Sequence, residues 1–248
     1  MKKTLFSIMA LAMAMTSCTN EVLTDVDGYR TIVLSVNNDE TVTRSAKTVA
    51  DLDGWIVKAN NNSEEITLTT ASTKVKAGKY TVSAQNHASE AEALTVNDGW
   101  GAAYYEGTSG EVTVEAGQPA EAVVNCGTAK NARLKVQFSL INNFTEYSLT
   151  ALTEDRTLVF NSDNAASALA YYAATEVVNY TLSYKYNGTP KKITGQITMK
   201  GSATENIIYI ASNDNGTISV TINYDDTFGT GNSENLEFDA ATGDEVNK

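Results

Sequence analysis

Histidine, proline, cysteine and tryptophan are all scarce in this chain of 248 residues, which has one histidine, two prolines, two cysteines and two tryptophans. With one histidine, His87, and no nucleophile-elbow pattern, a Ser–His–acid catalytic site is not indicated. One histidine and two cysteines also cannot complete a four-ligand zinc site without several carboxylates. No glycine-rich phosphate loop is present. We therefore expect no enzyme activity, no catalytic residue, no metal and no cofactor.

Positive charge and long apolar runs are also in short supply. The chain has 18 basic and 30 acidic residues, a net charge of −12. An acidic surface repels phosphate backbones, so nucleic acid is excluded as a partner. After the first seventeen residues, no stretch approaches the ~20 apolar residues that a membrane-spanning helix needs.

The N-terminus has the features of an export signal. Lys2 and Lys3 precede an uncharged apolar stretch, Leu5 to Met15, which suits a signal peptide and is too short to span a bilayer. The residues Met15-Thr16-Ser17-Cys18 resemble a lipobox, at which the cysteine is alkylated with diacylglycerol and the chain is cut before it. The alternative is an ordinary secretory signal with a coincidental cysteine. We predict a signal peptide over residues 1–17 and a lipidated tether over residues 18–28.

Lipid on Cys18 would decide both the location of the protein and the state of the other cysteine. Two or three acyl chains give a stable membrane anchor, so we expect a lipoprotein of the cell envelope, held in the outer membrane and exposed at the surface. Removing residues 1–17 deletes two lysines and no acid, which leaves a net charge of −14. Cys126 then has no disulfide partner, and its apolar surroundings predict a buried side chain.

Most of the chain alternates between apolar and polar residues, which is typical of half-buried strands. The clearest runs are Arg133–Ser139, Lys79–Ala84 and Thr217–Tyr224, and the sequences Asn187-Gly188 and Asn213–Gly216 predict hairpin turns. These features predict an all-β fold of two tandem antiparallel β-sandwich domains with Greek-key connections, over residues 29–128 and 129–248. One elongated sandwich is the alternative. An acidic tail begins at Asp225, and within it residues 235–240 could add an edge strand; residues 165–175 fit either a short helix or an irregular crossover.

Several short stretches resemble surface lipoproteins of the Bacteroidota. Ala77–Ala84 is similar to a strand entry common in these proteins. The stretch from Tyr104-Tyr105-Glu106-Gly107 through Glu111–Gly117 to Cys126–Ala132 resembles a family known only as a domain of unknown function. That family shares its layout with fimbrillin-like (Mfa-like) proteins, which have a lipobox followed by two β-sandwich domains. The resemblance covers most of residues 29–224, and it implies architecture more than activity.

The fimbrillin-like layout implies a maturation step. Fimbrillins are exported as lipoproteins, cut after an arginine near the first strand and polymerised by donated strands. Arg44 lies between the first predicted strand, Thr31–Val36, and the next, Gly54–Lys58, where such a cut would fall. Losing a strand would open an apolar groove that a partner strand can fill. The alternative is that Arg44 is an ordinary exposed loop residue.

Carbohydrate binding is the second functional hypothesis. Sugars bind to flat aromatic faces with polar neighbours, and Trp100, Tyr104 and Tyr105 lie in or just after the turn-like segment 97–101. They could form a glycan platform, or they could be core residues with satisfied polar groups. The sequence thus predicts a structural or adhesive surface lipoprotein whose partners are the membrane and other surface subunits. The alternative is a carbohydrate-binding lipoprotein for nutrient capture, with host or dietary glycans as ligands.

Overall fold

The computed structural model describes residues 29–37, 54–69, 72–115, 120–201, 204–225 and 233–246. Within these residues the chain forms seventeen strands, one short α-helix and one 3-10 turn. We refer to strands β1–β8 as the N-terminal half and to β9–β17 as the C-terminal half.

The N-terminal half consists of two sheets. One sheet has the strand order β4-β1-β8, and the other has the order β3-β2-β5-β6, with β7 also paired to β5. The strands are β1 (Tyr29–Asn37), β2 (Ile56–Asn60), β3 (Glu65–Thr67), β4 (Ser72–Lys76), β5 (Gly78–Gln85), β6 (Glu106–Thr108), β7 (Val112–Val114) and β8 (Ala120–Asn125). Between β5 and β6 the chain forms helix α1 (Glu90–Ala93) and the 3-10 turn (Asn97–Gly99). Helix α1 is capped by Ser89, whose hydroxyl accepts a hydrogen bond from the Glu92 amide.

The C-terminal half also consists of two sheets, with the strand orders β11-β10-β13-β14 and β12-β9-β15-β16-β17. The strands are β9 (Ala132–Ser139), β10 (Phe144–Leu152), β11 (Thr157–Asn161), β12 (Ala170–Tyr172), β13 (Val177–Tyr186), β14 (Thr189–Thr198), β15 (Glu205–Ser212), β16 (Thr217–Asp225) and β17 (Ser233–Asp239). Hairpin turns join β13 to β14 and β15 to β16. At the first of these turns Asn187 and Gly188 both have positive φ, which is the conformation that Asn-Gly tolerates easily.

The buried apolar side chains form two separate clusters. The first includes residues from Val57 to Cys126, and the second includes residues from Ala132 to Ala240. Each cluster fills the space between the two sheets of its own half. The exact domain bounds at residues 128 and 129 stay a prediction. The first cluster ends at Cys126 and the second begins at Ala132, on either side of that point.

The all-β class and the paired sheets confirm the predicted fold. The residues predicted to face inward in Lys79–Ala84 and Thr217–Tyr224 are all buried: Tyr80, Val82, Ala84, Ile218, Val220, Ile222 and Tyr224. The possible edge strand in the acidic tail is present as β17. Residues 165–175 form an irregular crossover that ends in the short strand β12, not a helix.

Two strand pairs differ from a purely antiparallel arrangement, because β1 runs parallel to β8 and β9 runs parallel to β15. These partners are far apart in the sequence, and local alternation carries no information about their relative direction. Among the described residues, no helix is long and apolar enough to cross a membrane. The same residues contain no cluster of histidine, cysteine and acidic side chains suited to a metal ion.

Candidate functional site

Strand β1 occupies the centre of its three-stranded sheet. Residues 29–33 pair with β4 in antiparallel register, from Tyr29 opposite Lys76 to Val33 opposite Ser72. Residues 32–37 pair with β8 in parallel register, from Ile32 beside Ala120 to Asn37 beside Asn125. The backbone of β1 thus holds β4 and β8 together, and without it each would have an unpaired edge.

The strands on both sides of β1 contribute to the N-terminal core. Val75 of β4 is buried, as are Ala122 and Val124 of β8. Leu34 and Val36 of β1 are in register with Ala122 and Val124. Departure of β1 would therefore expose apolar surface as well as free backbone N–H and C=O groups, which is the combination that an added strand recognises.

The position of β1 in the chain also matters. It is the first strand of the described chain, so one cut in the segment between Asn37 and Gly54 would separate it from all the others. Arg44 belongs to that segment and lies outside the described residues, as does Cys18. Cleavage at Arg44 and lipidation of Cys18 therefore stay predictions.

The predicted glycan platform does not form one exposed aromatic face. The indole of Trp100 packs edge-on against Phe160 of β11, with ring centroids 5.0 Å apart at 85°. The ring of Tyr104 is only 5% exposed, and its hydroxyl donates to Glu106 Oε2 at 2.8 Å. Tyr105 is half-buried and stacks on Trp55, with centroids 6.4 Å apart. Tyr104 is therefore a core residue with a satisfied hydroxyl, which was the alternative to a glycan platform. Trp100 packs between the two halves of the molecule.

Burial governs the chemistry of Tyr104 and of Cys126. Burial, with a smaller contribution from the Glu106 carboxylate, raises the pKa of Tyr104 to about 12. Burial likewise raises the pKa of the Cys126 thiol to about 11, and its Sγ lies 3.6 Å from the Ala84 carbonyl oxygen. Cys126 is a free, buried thiol that stays protonated near neutral pH, as its apolar surroundings predicted.

A junction between the two halves was missed by the sequence reasoning. The Arg156 guanidinium donates to the carbonyls of Leu94 and Gly99 at 3.1 and 2.8 Å, and also to the carbonyl of Tyr171. It lies over the Tyr172 ring, 4.1 Å from the centroid. In the sequence, a single arginine after Glu154 and Asp155 is typical of a solvated turn. No sequence signal therefore indicated that Arg156 joins the two halves.

Asn131 completes the junction from the other side. Its amide is 1% exposed; it accepts from the Tyr104 amide at 3.0 Å and donates to the Ala102 carbonyl at 2.7 Å. The Lys130 amide donates to the Tyr104 carbonyl at 2.7 Å, and the Tyr171 amide donates to the Trp100 carbonyl at 2.8 Å. The segment 94–104 is therefore fixed to both halves.

The stretches that carried the sequence resemblance meet in the folded chain. Gly107 lies so close to Asn125 and Cys126 that an added Cβ would be 2.9 Å from the Cys126 sulfur. The Val82 amide donates to the Ser109 hydroxyl at 2.9 Å, and the Ser109 amide donates to the Val82 carbonyl at 2.7 Å. Gly107 thus brings one N-terminal sheet close to the other, and Ser109 is bonded to β5 within its own sheet. The motifs are therefore architectural.

The fold and the junction define a two-sandwich all-β protein whose motif residues are structural. The model of the family Domain of unknown function (DUF4493) matches residues 30–240, and the chain belongs to that family. This match confirms the resemblance found in the sequence. No curated protein matches the chain.

The chain is also similar to solved structures at low sequence identity. A fimbrial assembly protein from Parabacteroides distasonis is 12% identical, with 83% of this chain and 98% of that chain covered and a TM-score of 0.45. A candidate cell adhesion protein from Bacteroides ovatus is 10% identical, with 81% and 97% covered and a TM-score of 0.41. At this level of similarity the likeness assigns no function to the chain.

Proposed function

We propose that the protein is a non-enzymatic structural or adhesive subunit of the bacterial cell surface. In this proposal, lipid on Cys18 holds it in the outer membrane, a protease cuts after Arg44, and β1 is replaced by a strand from another surface subunit. The fimbrillin-like resemblance of the sequence supports the cut and the anchor, and the strand order supports the exchange.

The central position of β1 between β4 and β8 carries the proposal. An edge strand that left would expose one edge, whereas the loss of β1 would leave a slot with a hydrogen-bonding edge on each side. Buried Val75, Ala122 and Val124 would form the apolar part of that slot. A replacement strand would recover both ladders and the apolar contacts, and an interaction of this kind is strong enough to link subunits stably.

The proposal is tested by the N-terminus of the mature protein in a Bacteroidota host. We expect N-terminal sequencing to find chains that begin at Ser45, and we expect ladders that resist denaturation on a gel. Arg44→Ala should abolish both, because the cut is needed to free β1. Lys47→Ala, three residues further on, is the matched control and should leave both unchanged.

Two outcomes would contradict the proposal. If the wild-type chain is found only with a blocked Cys18 at its N-terminus and without ladders, strand exchange at β1 does not occur. If labelled palmitate fails to enter the wild-type protein, or enters the Cys18→Ala variant equally well, the lipid anchor is wrong.

A further inference from the structure

A groove in the C-terminal half lies beside the part of β9 that β12 does not cover. Strand β12 pairs with β9 only along Ala132–Leu134, although β9 continues to Ser139. Next to this uncovered part is a cavity of about 420 Å³, within the range of small-ligand sites. The turn at residues 161–166 forms one wall, and Tyr147 of β10 forms another.

Aromatic rings give the groove an apolar surface. Phe138 and Tyr147 pack against each other, with ring centroids 4.9 Å apart at 48°, and both rings are only partly buried against the C-terminal core. Tyr209 of β15, in register with Gln137, also lines the groove. Partly exposed rings of this kind can stack against the C–H face of a sugar ring while the tyrosine hydroxyls remain available for polar contacts.

Several polar side chains around these rings have donors or acceptors that no other described residue uses. In the part of the chain that the structure describes, the Gln137 amide and the hydroxyls of Tyr147 and Tyr209 make no hydrogen bond, and Lys135 forms no ion pair. Asn161 uses its Oδ1 to accept from the amides of Asp163 and Asn164, at 2.9 and 3.2 Å, which leaves its Nδ2 as a donor toward a ligand.

The other polar surfaces differ from the groove in this respect. In the junction, the Tyr104 hydroxyl is bound to Glu106 and Arg156 is bound to three carbonyls. In a second cavity beside β13 and β14, the Lys185 ammonium is bound to Glu146 at 2.6 Å. The groove beside β9 differs from both, because it combines open aromatic rings with several uncommitted donors and acceptors.

We propose that this groove binds a short oligosaccharide. Stacking on Phe138 and Tyr147 would hold one sugar ring. Gln137 and Phe138 are consecutive in β9 and face opposite sides of the sheet, so Gln137 and its neighbour Tyr209 would bond to the hydroxyls of the next ring, beyond the uncovered edge of β9. Asn161 would donate to a hydroxyl at that edge. Lys135 is the one charged side chain in the lining, so the groove suits neutral sugars and can accept a single uronate carboxylate. This site is distant in the chain from the β1 slot and does not depend on cleavage or strand exchange.

The proposal is tested with purified full-length protein on an array of neutral and uronate-containing oligosaccharides, followed by calorimetric titration with the best binder. We expect Gln137→Ala and Tyr209→Phe each to weaken binding about fivefold, since each removes one hydrogen-bonding partner. Tyr147→Ala should weaken it about tenfold, because part of the stacking surface is lost. The exposed Gln196 on β14 provides the matched control, and Gln196→Ala should bind like the wild type.

Circular dichroism shows whether each variant is folded. If Tyr147→Ala does not fold, Gln137→Ala still tests the proposal, because Gln137 is exposed and its loss does not disturb the core. Absence of binding by the wild-type protein across the array would overturn the proposal. So would binding that Gln137→Ala and Tyr209→Phe leave unchanged. Binding of an extended peptide at these residues, in place of sugars, would assign the groove to strand addition on β9 and would also overturn it. Loss of sugar binding would not affect the ladders expected from strand exchange, so the two proposals fail separately.

Discussion

Buried tyrosines are an unusual feature of the C-terminal core at the scale of single residues. The hydroxyls of Tyr172 and Tyr180 are buried without a hydrogen-bond partner among the described residues, whereas the Tyr184 hydroxyl donates to the Ala240 carbonyl at 3.2 Å. Burial raises the pKa of all three to about 12. Each of these three side chains places a hydroxyl group in the core, and only the Tyr184 hydroxyl has a hydrogen-bond partner among the described residues.

This arrangement predicts a loss of stability at alkaline pH. The tyrosines are neutral in both states below about pH 10, the ordinary pKa of the unfolded chain. Above it the unfolded chain releases protons that the folded chain retains, so the free energy of unfolding should fall as the pH rises from about 10 to about 12. Urea denaturation at a series of pH values measures this fall, and a flat profile up to pH 12 would contradict it.

Two single substitutions separate the satisfied hydroxyl from an unsatisfied one. Tyr180→Phe should leave the free energy of unfolding at neutral pH unchanged or slightly higher, because no hydrogen bond is lost, and it should make the alkaline fall shallower. Tyr184→Phe should also reduce the alkaline fall but should cost about 1 kcal/mol at neutral pH. Equal effects of the two at neutral pH would show that the Tyr180 hydroxyl has a partner.

From the sequence, the role of a residue could be predicted only where that role depends on its neighbours along the chain. The alternation around Tyr80, Val82 and Ala84 identified buried side chains because the period of a strand is fixed by backbone geometry. Arg156 and Trp100 could not be placed in this way, since Leu94, Gly99 and Phe160 come from other parts of the chain. The assignment of the groove depended on Phe138, Tyr147 and Tyr209, which lie on three strands that become neighbours only in the folded state.

At the scale of elements, the N-terminal sandwich depends on the close approach of β6 to β8. Gly107 makes this approach possible, because any side chain there would meet the backbone of Asn125 and the Cys126 sulfur. Backbone atoms in paired strands cannot move aside as the end of a flexible side chain can. The spacing between the two sheets is therefore set by a residue without a side chain.

Gly107→Ala should lower the free energy of unfolding by about 2 kcal/mol or more, because the added methyl group overpacks the interface between β6 and β8. The matched control is Gly110→Ala, since a Cβ at Gly110 meets nothing within 4 Å. That variant should differ from the wild type by less than about 0.5 kcal/mol. Denaturant midpoints measure both, and similar midpoints for the two variants would contradict the close approach.

The elements themselves were predictable to a useful extent, and their pairing was not. Long strands with one buried face, such as β9 and β16, and the hairpin turn at Asn187-Gly188 follow from local patterns. The parallel pairing of β1 with β8 joins strands separated by most of the N-terminal half, and the alternation within each strand does not indicate its partner or its direction. The central position of β1, on which the proposed function depends, was for this reason outside the reach of the sequence.

On the scale of the whole molecule, two separate cores are joined by a small polar junction. The Arg156 guanidinium bonds to carbonyls of the N-terminal half at Leu94 and Gly99 and to the C-terminal half at Tyr171. Asn131 and Trp100 add backbone contacts and a ring contact on either side of it. Arg156 is the side chain that bonds to carbonyls on both sides of this junction.

Arg156→Ala should therefore uncouple the two halves. Removal of the guanidinium leaves the Leu94, Gly99 and Tyr171 carbonyls without their donor, which should weaken the junction while each half keeps its own core. We expect calorimetry to resolve two thermal transitions where the wild type unfolds in one, and we expect small-angle X-ray scattering to show a larger radius of gyration. Lys185→Ala removes a cation from an exposed ion pair with Glu146 and is the control, which should cost less than about 0.5 kcal/mol and leave the scattering unchanged. One transition and an unaltered radius for Arg156→Ala would show that the halves are held together without this side chain.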